Sequence, residues 1–324
     1  MHSPNELLDK IRSIFPRWLR ISLFFSILIL ALEGAALVII RSNPEYQTGM
    51  ASMTVDTIMP IPTQALTMMP TQTLTLIPTP TMGIGSTIVS EKDGMVMLYV
   101  PAGEFDMGSD EGPEDESPVH TVYLDAYWID QTEVTNDQYR MCVEAGGCNP
   151  PKNTSFFNIT EYAEHPVVYV NWNDANDYCQ WAGRKLPTEA QWEKAARGTD
   201  GRTFPWGEEI NCSRANYLGC TEFAGTNPVG YYGEPGESPY GALDMAGNVW
   251  EWVADWYDSD YYRITPRENP IGPISGDTRV VRGGSWDMVE YAARSTFRLF
   301  SLEIISTVAL KSIGFRCANS VVFP

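Results

Sequence analysis

The chain has 324 residues, with 41 acidic against 22 basic side chains, a net charge of −19, and 44% hydrophobic residues. Such an acidic surface repels phosphate backbones, which argues against a nucleic-acid partner; it aids solubility and offers oxygen ligands to calcium. The imbalance is local, because residues before 91 hold five acids and five bases, leaving 36 acids against 17 bases for the remainder.

Ile21 to Ile40 is a run of 20 almost uniformly apolar residues, long enough to cross a bilayer. Lys10, Arg12, Arg17 and Arg20 precede it and only Arg41 follows closely, so the positive-inside rule keeps the N-terminus in the cytoplasm. Residues 1–20 are therefore expected to be cytoplasmic, 21–40 a single-pass signal anchor in the cell membrane, and the rest extracytoplasmic. Glu33 costs something at membrane depth, though it sits near one end of the run. A cleaved signal peptide is the alternative, with small residues at Gly34-Ala35-Ala36, but the apolar run exceeds a usual signal core. Residues 41–90 are rich in Thr, Pro, Met and Gln and read as a disordered linker, either a stalk or a plain spacer.

The folded domain is expected over 91–324. Val96 to Val100 reads as a strand leading into a turn at Pro101-Ala102-Gly103. Three helices are legible: one capped by Thr135, one from Asn173 to a stop at Gly183, and one from Thr188 to Gly198 with a Thr188/Gln191 capping box. After Gly198 the chain is dense in Gly, Pro, Asn and Trp, with short strand signals only. The fold class is α+β with little regular secondary structure. The six cysteines all follow the apolar run, and an even count in an oxidising compartment reads as three disulfides, although 15 pairings are formally open. Cys142 with Cys148 and Cys212 with Cys220 bracket short loops and are expected to close locally, leaving Cys179 with Cys317.

A series of segments runs through the domain in fixed order: Gly103-Glu104-Phe105-Asp106-Met107-Gly108-Ser109, Glu133-Val134-Thr135-Asn136, Val170-Asn171-Trp172-Asn173-Asp174-Ala175 and Gly183-Arg184-Lys185-Leu186-Pro187-Thr188-Glu189. Phe204-Pro205-Trp206-Gly207, Gly247-Asn248-Val249-Trp250-Glu251-Trp252, Arg282-Gly283-Gly284-Ser285-Trp286 and Gly314-Phe315-Arg316-Cys317 complete it. From about Val96 to Ala318 the chain resembles the sulfatase-modifying factors, or formylglycine-generating enzymes, a fold related to C-type lectin-like domains. The resemblance also supports the Cys179–Cys317 pairing.

In that family a sulfatase cysteine is oxidised to formylglycine with oxygen and a copper(I) ion held by two cysteines, three and eight residues after the serine of Gly-Gly-Ser. Here those positions are Met288 and Ala293. A thioether cannot ionise and alanine offers nothing, so copper is not expected. Trp250 and Ser285, which flank the oxygen pocket in the enzymes, are kept, either around a vestigial pocket or because the fold packs on them.

The resemblance implies a calcium site at Asp244, the Gly247 and Val249 carbonyls and Glu251, and a weaker second one at Asn216, Tyr217 and Phe223, where Thr221 replaces an aspartate. His2, His120 and His165 are too few on one side of the membrane for a three-histidine iron centre or a triad, and structural hydrogen bonds are the expected use of the latter two. Glu111, Glu114, Asp115 and Glu116 read as a solvated acidic loop. The reading is thus an anchored, extracytoplasmic domain without oxidase chemistry. It would bind a protein or glycan ligand through an apolar surface built from Tyr291, Phe297, Leu299, Phe300, Ile304 and Ile305. An active oxidase is the alternative.

Overall fold

The computed structural model of the protein describes residues 82–220, 225–299 and 309–320. The expected cytoplasmic segment, the anchor at 21–40 and most of the linker lie outside the described residues, as do Phe223, Phe300, Ile304 and Ile305. Among the described residues no helix is long and apolar enough to cross a membrane.

Nine short strands and three α-helices follow one another among the described residues. Strands β1 (Thr87–Val89), β2 (Val96–Val100), β3 (Gly103–Met107), β4 (His120–Leu124) and β5 (Tyr127–Asp130) come first. Helices α1 (Asn136–Glu144), α2 (Trp172–Trp181) and α3 (Glu189–Arg197) follow. Strands β6 (Trp250–Trp256), β7 (Arg279–Arg282), β8 (Ile313–Phe315) and β9 (Ala318–Ser320) complete the order. A four-stranded sheet runs β1-β2-β5-β9, a hairpin pairs β3 with β4, and a three-stranded sheet runs β7-β6-β8. The third sheet is mixed, with β6 antiparallel to β7 and parallel to β8. Strand β1 falls inside the stretch expected to be linker and pairs with β2, which moves the folded boundary ahead of Glu91.

All three helices begin with a reciprocal capping box, in which a short polar side chain takes the N3 amide and the N3 side chain returns to the cap amide. Thr135 with Gln138 and Thr188 with Gln191 do this where expected; the second helix starts slightly earlier than expected, capped by Asn171 with Asp174. Helix α3 is buried around nearly its whole circumference. Trp192 fills the space between sheets, while Glu189 and Glu193 on the same helix meet Arg282 at 3.0 and 2.6 Å. Arg298 adds a second cation on Glu189 at 2.8 Å, and Arg197 one on Glu193 at 3.1 Å. Buried charges survive only when paired and hydrogen-bonded, so this network fixes one position for the helix.

The three disulfides are Cys142–Cys148, Cys179–Cys317 and Cys212–Cys220, as expected, and they consume every cysteine in the chain. The Cys179–Cys317 bridge ties α2 to the residue just before β9, across 138 residues. The acidic loop differs from expectation. Glu111 and Glu114 are exposed, but Glu116 is fully buried against the Arg294 guanidinium at 2.6 Å, and Asp115 accepts from the Tyr257 hydroxyl at 2.8 Å. The partners that draw these carboxylates inward lie more than a hundred residues away in sequence, so no local pattern announced them.

Candidate functional site

Strand β7 delivers Arg282 into the network under α3, and the chain then turns through two glycines. Both have positive φ, and a Cβ on Gly284 would stand 2.9 Å from the Ala292 carbonyl oxygen. The Ser285 loop is therefore pressed against the 290s segment. Ser285 is fully buried and donates its hydroxyl to Asp287 at 2.7 Å. Neither described histidine hydrogen-bonds to this serine. His120 is held through Nδ1 against the Pro118 carbonyl, and His165 against the Thr226 hydroxyl, each at 2.9 Å.

Trp250 is 3% exposed and Ala293 1% exposed. Trp250 lies 6.0 Å from the Phe297 ring, Phe297 lies 5.7 Å from Tyr291, and the Arg294 guanidinium sits 4.1 Å over Tyr291. Ala293 packs with Phe204, Ala215 and Ala246, whereas Met288 is partly buried against the main core. Side chains pack closely around Trp250 and Ser285. Of the expected apolar surface, Tyr291 is half-exposed, while Phe297 and Leu299 lean on the core.

A second constellation adjoins this one. The turn at Gly247 and Asn248 joins both stretches expected to bind calcium: Asn248 N donates to the Asn216 carbonyl at 2.8 Å. The same turn meets the serine loop, since Gly247 N donates to the Gly283 carbonyl at 2.7 Å and Trp286 N to the Asn248 carbonyl at 3.0 Å. Glycine is required at 247, where φ is +83° and a Cβ would fall 2.3 Å from the Asn216 carbonyl oxygen.

Three buried carboxylates flank the turn. Glu251 on β6 is buried and receives the Arg316 fork at 2.7 Å on each oxygen, with the Trp192 indole N–H at 2.8 Å. Asp244 accepts from Gly230 N at 2.5 Å, and Val249 between them is fully buried. Sequence reasoning gave no role to the third, Glu133, although it opens the segment that caps α1. Glu133 is fully buried, takes the Asn248 side-chain amide on one oxygen at 3.0 Å, and leaves the other without a partner. Burial, and then the charges of Asp244 and Glu251, push Glu133 well above the usual carboxylate range. Burial also raises Asp244, against the lowering pull of the Gly230 amide.

Ionised together, the three acids face one guanidinium and leave two negative charges uncompensated. Among the described residues no three His, Cys, Asp or Glu side chains converge on a single metal position. A cation here would therefore draw on main-chain carbonyls as well. The Asn216 side-chain oxygen is buried and unpartnered, and Tyr217 beside it is partly buried.

These features describe a disulfide-bonded α/β domain whose polar core is organised around α3 and the Gly247 turn. The sulfatase-modifying factor enzyme 1-like domain matches residues 86–321. The formylglycine-generating enzyme of Streptomyces coelicolor is 35% identical over 287 residues, with 68% of this chain and 88% of that protein covered. The serine/threonine-protein kinase pkn1 of Chlamydia pneumoniae is 39% identical over 248 residues covering 69% of this chain, and the chain spans 38% of that relative's length. Among solved structures, PvdO from Pseudomonas aeruginosa superposes with a TM-score of 0.63 at 26% identity, over 74% of this chain and all of that one. The chain belongs to the sulfatase-modifying factor, or formylglycine-generating enzyme-like, family.

Proposed function

We propose that this family member has no oxidase activity and works as a binding or scaffolding domain, held to the extracytoplasmic face of the cell membrane by residues 21–40. One observation carries the reading: all six cysteines are engaged in disulfides, while Met288 and Ala293 stand where the family's copper-binding pair would be. A copper(I) centre needs soft, ionisable sulfur, and no thiol is left to supply it or to capture a substrate cysteine. Three disulfides also suit an oxidising compartment. The purified chain, incubated with copper, oxygen, a reductant and a cysteine-containing sulfatase peptide, is expected to leave that cysteine unmodified by mass spectrometry. Formylglycine in the peptide would establish the active oxidase instead.

The calcium reading extends to the same domain. Asp244, the Gly247 and Val249 carbonyls and Glu251 would hold the ion, with Glu133 as a further carboxylate, and its charge would replace the protons that burial otherwise favours. The fit rests on the two uncompensated charges and the unpartnered Glu133 oxygen. Glu251 is already engaged by Arg316, so its share in the site is the smaller. The unpartnered Asn216 oxygen supports the second site, with Tyr217 and Phe223. Millimolar calcium is expected to raise the melting temperature, a chelator to reverse the rise, and Asp244→Asn to abolish it. An identical melting curve with calcium and with chelator would remove calcium from the account.

A further inference from the structure

A groove of about 1200 Å³ runs along the domain away from the serine loop, and none of Trp250, Ser285, Met288 or Ala293 lines it. One wall is a face of α2, where Trp172, Asn176 and Gln180 recur at every fourth residue. Facing them are Ala318, Asn319 and Ser320 of β9, an edge strand. Much of the remaining lining is apolar, and Ile271, 75% exposed, overhangs it.

The groove is cationic in a chain that is otherwise acidic. Its charged lining is Arg184, Lys185, Arg279 and Asp125. Arg184 is neutralised by Asp93 and Asp130, and Asp125 is tied to the Asn269 amide at 3.0 Å. Lys185 is exposed and, among the described residues, forms no ion pair. Arg279 is held more firmly. Its guanidinium is clamped between the Trp172 ring at 3.8 Å and the Trp256 ring at 3.4 Å, with one hydrogen bond to the Ala254 carbonyl at 2.6 Å. No described carboxylate reaches it within ion-pair distance, and its Nε is buried without an acceptor. Burial lowers it to about 10, against the raising pull of the nearby Asp255 carboxylate.

We propose that this groove binds an extended peptide segment in which acidic side chains alternate with apolar ones, the carboxylates meeting Arg279 and Lys185. The planar guanidinium fork matches a carboxylate, and the two indoles preset its orientation at little entropic cost. The α2 face from Trp172 to Gln180 is about 12 Å long, which matches about four residues of extended chain. The side-chain amides of Asn176, Gln180 and Asn319 can each donate to and accept from a peptide backbone. The apolar floor favours a peptide over a sugar, whose surface is mostly hydroxyl.

The proposal rests on the reading of the chain as a binding domain, and the two fail separately: oxidase turnover would overturn that reading and leave peptide capture in this groove standing. The test is fluorescence anisotropy of the full chain with a labelled peptide alternating glutamate with leucine and valine, beside its glutamine counterpart and trigalacturonate. The acidic peptide is expected to bind about tenfold or more tightly than the glutamine version, and less tightly as salt rises. Arg279→Gln is expected to remove that preference. Should Arg279→Gln lower the melting temperature, the exposed substitution Lys185→Glu provides the same readout in a folded protein. Equal binding of both peptides, no effect of Lys185→Glu, or tighter binding of trigalacturonate would each overturn the proposal.

Discussion

Replacing Arg316 by methionine is expected to destabilise the domain by about 3–5 kcal/mol, the range seen when one partner of a buried ion pair is removed. Arg316 is fully buried and uses all of its N–H groups. It donates to both Glu251 oxygens at 2.7 Å, to the Leu243 carbonyl at 2.8 Å, and to the Asp130 and Gln131 carbonyls at 3.1 and 3.0 Å. Without it, Glu251 stays buried near Glu133 and Asp244 with no cation opposite. Arg316→Met combined with Glu251→Gln should therefore be less harmful than the two single changes predict when added. Equilibrium denaturation of the four proteins measures that coupling. Additive losses would show that Arg316 acts through its carbonyl contacts alone.

The second large effect belongs to the longest covalent link. Changing Cys179 and Cys317 together to alanine is expected to cost about 5 kcal/mol, because a bridge spanning 138 residues removes much freedom from the unfolded chain. The same change at Cys142 and Cys148, which are 6 residues apart, is expected to cost about 2 kcal/mol. Denaturation midpoints of the two double variants give the ranking directly. A larger loss at the short bridge would mean that native contacts around it, not chain entropy, set these values.

What could be read from the sequence was local or punctuated. The caps at Thr135 and Thr188 announce themselves within four residues, so the first and third helices were placed well. The second began earlier than expected because Asn171, Asn173 and Asp174 can all cap, and only packing selects Asn171. The disulfides followed from an even count and two short spacings. Glu116 was misjudged as solvated because its partner, Arg294, lies 178 residues away. Glu133 was seen only as part of a motif. Its significance comes from Asn248, 115 residues distant, and from an oxygen that nothing satisfies. The groove was invisible for the same reason: Trp172, Arg279 and Asn319 meet only once three separate elements have assembled.

Strand β9 sets a condition on biosynthesis. It completes the sheet that begins with β1 and β2, and Cys317 just before it donates its amide to Asp130 at 2.8 Å while bonding Cys179. A nascent chain extruded from its N-terminus cannot finish this core until β9 has emerged, so folding of the domain has to await the synthesis of Cys317 and the strand after it. A product cut short before that point would display an unmatched thiol on α2, a chemical flag by which an oxidising compartment could tell a truncated copy from a finished one.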